Sequence, residues 1–187
     1  LLLDTPHVET YDTTFKVNPP LRTSEHLEAV REALADGTID IVGTDHAPHA
    51  VQDKDHPFDV ALPGMLGLEQ ALAVVKELMV DTGRMTWADV ARVMSTNPAH
   101  IGRIDEGDLP QGRPIAVGEP GNLVLVDPAA RTVVDPRQQG TTSDNSPFRG
   151  ADLPGRVVAT FLRGRATVLD GAAVAPAGSP APRKVVR

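Results

Sequence analysis

Residues 40–49 read DIVGTDHAPH, an apolar run that stops in one aspartate and two histidines with a proline between the histidines. A carboxylate can ligate a metal or carry a proton, and an imidazole can ligate a metal or hold an anion. Asp45, His46 and His49 in one pocket would therefore suit activation of a water by zinc. Pro48 restricts the chain between the two histidines and so limits the directions their side chains take. An Asp-His pair at the end of a strand also serves as a helix cap or turn, and spacing alone leaves both readings open. His7, His26, His56 and His100 have no partner in the pattern and read as surface or satisfied histidines.

The elements around this run decide where Asp45 sits. IDIVGTD, from Ile39, is apolar with little alternation, as in a strand covered on both faces. Before it, Phe15 and Val17 alternate in a short strand that the double proline of FKVNPPLR ends, leaving Asn18 and Arg22 just past a strand end. Between the two, TSEHLEAVREALADG has Thr23 or Ser24 as N-cap, Leu27, Val30 and Leu34 on one stripe, and Gly37 as its stop. Strand, helix, strand at this spacing is a βαβ unit, and in such folds functional groups gather where strands end.

From His46 to Leu62 the chain has loop chemistry, and its 50–62 part reads equally as a lid over the substrate or as an ordered surface loop. A second helix is expected from about Gly64, with Leu68, Leu72, Val75, Leu78 and Met79, stopping near residues 81–83. A third starts at Thr86, where Thr86 and Asp89 make an acidic capping box ahead of Val90, Val93 and Met94, and Pro98 interrupts it. After Gly102, GNLVLVD, RTVVD and RVVATFLRGRATVLDG are short β-rich runs, with Gly164 in a hairpin turn. The expected units are 1–103, the last βα units of a barrel; 104–172, a small antiparallel β module; and 173–187, a loosely laid Ala/Pro-rich tail.

Composition narrows the function. A formal charge of -7 over 187 residues, with 3% aromatics, gives no platform for nucleic acid, and no run approaches the roughly 20 apolar residues of a bilayer span. No nucleic-acid or membrane partner is expected, and the location reads as cytoplasmic. With no cysteine, a metal here is held by nitrogen and oxygen ligands.

TDHAPH at 44–49 together with KVNPPLR at 16–22 resembles the class I, bacterial-type dihydroorotases of the amidohydrolase superfamily. PGMLGLE at 63–69, GNLVLVD at 121–127 and DNSPFRG at 144–150 are similar to later family segments, the last with Ser146 where threonine is usual. The matches run in the family's order over residues 1 to about 171, whereas DHAPH alone would be shared with allantoinases and hydantoinases.

The resemblance implies an α/β fold, the C-terminal part of a TIM-like (β/α)8 metal-dependent hydrolase barrel plus a small antiparallel β module. It implies zinc-dependent interconversion of dihydroorotate and N-carbamoyl-L-aspartate in pyrimidine biosynthesis, with two zincs per complete site. Asp45 matches the aspartate that ligates one zinc and shuttles the proton; Asn18 and His49 match substrate-holding positions, and Pro63 with Gly64 a backbone pair against the pyrimidine ring. Arg22 lies in the matching motif, and a structural ion pair would explain it equally well.

The family's other metal ligands have no counterpart in these residues. A complete barrel takes about 250 residues, and the abrupt LLL start looks like the middle of a buried element. The expectation is thus a C-terminal part, inactive without the upstream part of the same enzyme, with a homodimer or an aspartate transcarbamoylase association among its partners. The rival readings are a hydantoinase- or allantoinase-type cyclic amidohydrolase and a non-catalytic dihydroorotase-like subunit that scaffolds aspartate transcarbamoylase.

Overall fold

The computed structural model describes residues 1–175. Helix α1 spans Ser24–Asp36, entered from an extended Thr23 and stopped by Gly37 at φ 86°, a left-handed conformation that suits glycine. It buries Leu27 and Leu34, but Val30, expected on the same stripe, is 41% exposed. One helical turn, α2 at Val51–Lys54, interrupts the segment expected to be all loop.

Helix α3, Ala71–Val75, runs on through a π-helical turn at Lys76–Val80. It starts well after Gly64 because Gly64, at φ 145°, is outside the helical region and the carbonyls that would open the ladder are used elsewhere, that of Gly64 by Lys54 and Asn145 and that of Met65 by Ala47 N–H. Gly64 N–H goes to the Lys16 carbonyl and Leu66 N–H to the Asn145 carbonyl, while the N–H groups of Gly67 and Leu68 meet His46 Nδ1. Leu68, expected on the apolar stripe, is accordingly exposed.

Helix α4, Trp87–Ala91, opens with the expected box: Thr86 Oγ1 accepts Asp89 N–H at 3.3 Å, and Asp89 Oδ2 accepts Thr86 N–H at 2.9 Å. Pro98 does not interrupt the helical run. The chain widens into a π turn at Arg92–Thr96, with Asn97 N–H bonding the Arg92 carbonyl, and Pro98 falls in the first turn of α5, Asn97–Ile101, where its missing N–H is tolerated.

These helices close on a core of Leu34, Val75, Met79, Met85, Val90 and Val93. Each such side chain contributes about 1.5–3 kcal/mol by leaving water. On the other side of α3, Val74 packs with Val134 and Leu153, so one helix joins the helical layer to the sheet.

The sheet is an antiparallel meander of β1 (Leu123–Val133), β2 (Asp152–Leu162), β3 (Arg165–Leu169) and β4 (Ala172–Ala173), in that order. GNLVLVD and RTVVD, read as separate runs, are one strand with an irregularity between Asp127 and Arg131. There Asp127 Oδ1 accepts the N–H groups of Ala129 and Ala130. Arg163 and Gly164, at φ 52° and 75°, form the expected tight turn between β2 and β3. The tail read as loose begins as a paired strand at Ala173; its residues 176–187 lie outside the described residues.

The strands expected at 15–17 and 39–45 are not formed. Phe15 closes a 3₁₀ turn, Thr13–Phe15, and Val42 gives its N–H to the Val93 carbonyl, not to a neighbouring strand. A strand exists only through repeated bonds to a partner. Among the described residues the 39–49 stretch has one isolated parallel bridge, His46 to Met65. Also among them, no helix is long and apolar enough to cross a membrane.

Candidate functional site

Asp45 ends the extended 39–45 segment at φ 46°, a left-handed conformation uncommon outside glycine, asparagine and aspartate. Its side chain is exposed, and its carboxylate meets no hydrogen-bond or ion-pair partner among the described residues. An unengaged carboxylate on a bent chain is free to take a ligand.

The two histidines beyond it turn to different neighbours. His46 Nδ1 lies 3.2 and 3.3 Å from the N–H groups of Gly67 and Leu68. It must accept there, which places the ring proton on Nε2. His49 instead directs Nε2 at the Pro63 carbonyl, 3.1 Å away, and so donates to it. Its backbone N–H is held by Asn145 Oδ1 at 3.1 Å, and its Nδ1 stands 3.8 Å from Asp53 Oδ2, too far for a hydrogen bond. Pro48 separates these two directions, as its rigid φ suggests.

Gly64 is where the site is tightest. It lies buried at φ 145°, and a Cβ placed there would come within 2.5 Å of His49 Nε2 and 2.8 Å of the Ala47 Cβ. Its N–H donates to the Lys16 carbonyl at 2.8 Å. Its carbonyl accepts from Lys54 Nζ at 3.0 Å and from Asn145 Nδ2 at 3.2 Å. Both backbone groups of Gly64 are therefore engaged, whereas the carbonyl of exposed Pro63 keeps a second lone pair for an incoming N–H.

The structure thus brings His49, Pro63 and Gly64 into contact. Asp45 and Asn18 are joined to them by no bond among the described residues. Asn18 is exposed, two residues beyond the Lys16 carbonyl that holds Gly64, and its peptide bond to Pro19 is cis. Arg22 is also exposed; no ion pair holds its side chain among the described residues, and only its backbone carbonyl is engaged, by Thr5 N–H at 3.0 Å.

Two buried residues at the site escaped the sequence reading. Asn145, 3% exposed, ties three segments together: Nδ2 donates to the Ala47 and Gly64 carbonyls at 2.9 and 3.2 Å, Oδ1 accepts His49 N–H, and its own carbonyl accepts Leu66 N–H. Lys54, 8% exposed, donates to the carbonyls of Leu62 at 2.8 Å and Gly64 at 3.0 Å, with that of Lys16 at 3.5 Å. Burial, and then the nearby charge of Lys16, pushes its pKa down. DNSPFRG marked Asn145 as part of a motif but did not show its burial; nothing in QDKDH marks Lys54 as buried.

The segment 50–62 is tied down at several points. Leu62 N–H bonds the Asp53 carbonyl at 3.0 Å across its neck. Thr13 Oγ1 donates to the Lys54 carbonyl, Lys16 Nζ donates to the Asp59 carbonyl and lies over the Phe58 ring, and Tyr11 meets that ring edge-on. His7, His26 and His100 each have a local side-chain partner, Asp4, Thr23 and Asp105, which suits structural roles.

The zinc site implied by the resemblance can be set against these groups. The free Asp45 carboxylate fits one position in a ligand set of oxygen and nitrogen donors. Among the described residues no group of three or more His, Cys, Asp or Glu could hold a metal ion, so Asp45 fits as a contributor to a site and not as the site.

Residues 15–167 match the amidohydrolase family. The chain is 55% identical over 171 residues to a dihydroorotase of Streptomyces coelicolor and 51% identical over 171 residues to one of Mycobacterium tuberculosis. Each alignment covers 91% of this chain and 39% of the relative. The chain therefore spans about two fifths of the length of the curated relatives it matches. Among solved structures it is similar to an L-hydantoinase (dihydropyrimidinase) from Arthrobacter aurescens, with TM-score 0.84 and 31% identity over 92% of this chain and 38% of that one.

Proposed function

Because this chain belongs to the amidohydrolase family, we propose that it is the Asp45-bearing part of a dihydroorotase, interconverting dihydroorotate and N-carbamoyl-L-aspartate. The observation that carries the reading is a free carboxylate at the end of residues 39–45, directly before a His49–Pro63–Gly64 contact, in a chain similar to dihydroorotases along most of its length. Helices α1–α5 and the extended segments between them are then the last units of a (β/α)8 barrel. Such segments become strands only beside partners supplied by the rest of the barrel.

In this reading Asp45 is one ligand of a zinc centre whose other ligands lie outside the described residues; when bound, the metal polarises the ring carbonyl and the attacking water. Asp45 takes the proton of that water and returns it to the ring nitrogen as the amide bond breaks. His49 and Asn18 orient the substrate carboxylate and ring amides, and the second lone pair of the Pro63 carbonyl receives a ring N–H. Gly64 contributes space: without a side chain it lets this backbone approach both His49 and the ring.

A hydantoinase reading is favoured by one observation, the likeness to the Arthrobacter L-hydantoinase. The two are separated by offering dihydroorotate, hydantoin and allantoin to the zinc-loaded protein, assembled with the polypeptide that supplies the remaining ligands. Dihydroorotate should be turned over with the highest kcat/KM, D45N should lose about 10²–10⁴-fold in kcat, and these 187 residues alone should show no turnover. Preference for hydantoin or allantoin, or an unchanged kcat in D45N, would overturn the proposal.

A further inference from the structure

We propose that Lys54 is a positioning residue for the substrate-facing Pro63 backbone: its ammonium gathers the carbonyls on either side of Pro63 and fixes the direction in which the Pro63 carbonyl points. The proposal deepens the dihydroorotase reading and rests on it for the identity of the substrate.

Lys54 ends the single turn α2, and its side chain runs inward beneath the 55–62 loop until only 8% of the residue is exposed. No carboxylate lies within ion-pair distance of it; its Nζ meets carbonyl oxygens alone, those of Leu62, Gly64 and Lys16, and the charge of Asp12 favours the cation only from farther off. A buried cation with no carboxylate in contact is costly unless each of its N–H groups is satisfied. An ammonium has three N–H groups, and three carbonyls surround it here, at 2.8, 3.0 and 3.5 Å. No neutral side chain offers three donors from one atom.

The identity of those carbonyls suggests the role. The Leu62 carbonyl belongs to the peptide unit before Pro63 and the Gly64 carbonyl to the unit after Gly64, so one atom pins both sides of the unit that carries the Pro63 carbonyl, and that unit is itself held through Gly64 N–H. The Lys16 carbonyl also accepts Gly64 N–H at 2.8 Å, which closes a ring of bonds through Lys54, Lys16 and Gly64. Asn145 Nδ2 holds the Gly64 carbonyl from another direction. Proline contributes no N–H of its own, so the Pro63 carbonyl is oriented by its neighbours and by His49 Nε2.

The test compares K54M, which keeps the length and removes every donor, with K54R, which keeps charge and donors but spreads them over a planar fork. Both are made in the assembled zinc-loaded protein. K54M should raise KM for dihydroorotate about tenfold or more while kcat stays within about threefold, because binding geometry is lost and the proton-transfer group is untouched. K54R should raise KM by a smaller factor, about threefold to tenfold, with kcat again unchanged. Amide hydrogen exchange at Gly64 should accelerate about tenfold in K54M, a readout that needs no turnover.

Unchanged KM together with unchanged Gly64 exchange in folded K54M would overturn the proposal. So would equal losses in kcat and KM that track the folded fraction. If K54M does not fold, a folded K54R with wild-type KM overturns it instead. Absence of turnover on every cyclic amide by the wild-type protein would sink the functional reading, and the Gly64 exchange would still decide the clamp.

Discussion

The side-chain oxygen of Asn145 accepts the backbone N–H of His49 at 3.1 Å although 96 positions separate them in the chain. The amide end of the same side chain holds the carbonyls of Ala47 and Gly64. N145A would leave one N–H and the Ala47 carbonyl without this partner in a buried place, while the Gly64 carbonyl keeps Lys54. The expected loss is about 2–4 kcal/mol of unfolding free energy, read by denaturant titration. N145D should do no better, since a carboxylate can receive the His49 N–H but cannot donate to either carbonyl.

Gly64 admits no side chain. G64A adds a Cβ 2.5 Å from His49 Nε2 at a φ of 145°, so both the backbone and the imidazole must shift. In the assembled protein the expected result is a KM for dihydroorotate raised by about tenfold or more, with the strain costing about 1–3 kcal/mol in stability. Steady-state kinetics alongside thermal melting would separate the two effects.

The α4 cap offers a check far from the site. T86A removes both the hydroxyl that Asp89 N–H donates to and the hydroxyl proton given to Asp89 Oδ2. The expected cost is about 1 kcal/mol, seen as a lowered denaturant midpoint with an unchanged slope.

Asp135 gives a pH prediction. Hydrogen bonds from the Arg137 side chain, then from its backbone N–H, hold the Asp135 carboxyl down to about 2 from an ordinary 3.8. A carboxylate whose pKa is lower folded than unfolded adds stability above its unfolded pKa and loses it as pH falls toward its folded one. The contribution is thus complete above roughly pH 4 and gone near pH 2. R137A should move the Asp135 midpoint back up toward 3.8, as monitored by carboxyl NMR shifts.

Much of this was legible in the chain. Gly37 and the Thr86–Asp89 box placed helix ends, because a left-handed stop and a reciprocal cap are local chemistry that needs no distant partner. The Arg163–Gly164 turn was visible for the same reason. The misreadings are non-local. Residues 64–68 carry helical spacing, but the Gly64 and Met65 carbonyls that would open the ladder are claimed by Lys54, Asn145 and Ala47, and Leu68 N–H by His46, and no periodicity reports competitors that distant. The apolar run at 39–45 fits a strand, yet what makes a strand is its neighbour. Lys54 sits between two aspartates, a pattern that reads as solvated, and its burial comes from carbonyls 8, 10 and 38 positions away.

The bond from Leu62 N–H to the Asp53 carbonyl, with Lys54 Nζ on the Leu62 carbonyl beside it, acts as a drawstring on the loop they enclose. A protease cut between His56 and Asp59 would leave both new ends anchored close to where they began. A short inserted peptide there would pull Phe58 and Asp59 against Lys16, whose own carbonyl holds Gly64 N–H, so the disturbance would reach Pro63. A fluorophore attached at the tip would therefore sense this face through the Phe58–Lys16 contact, and its signal would change whenever that contact is strained.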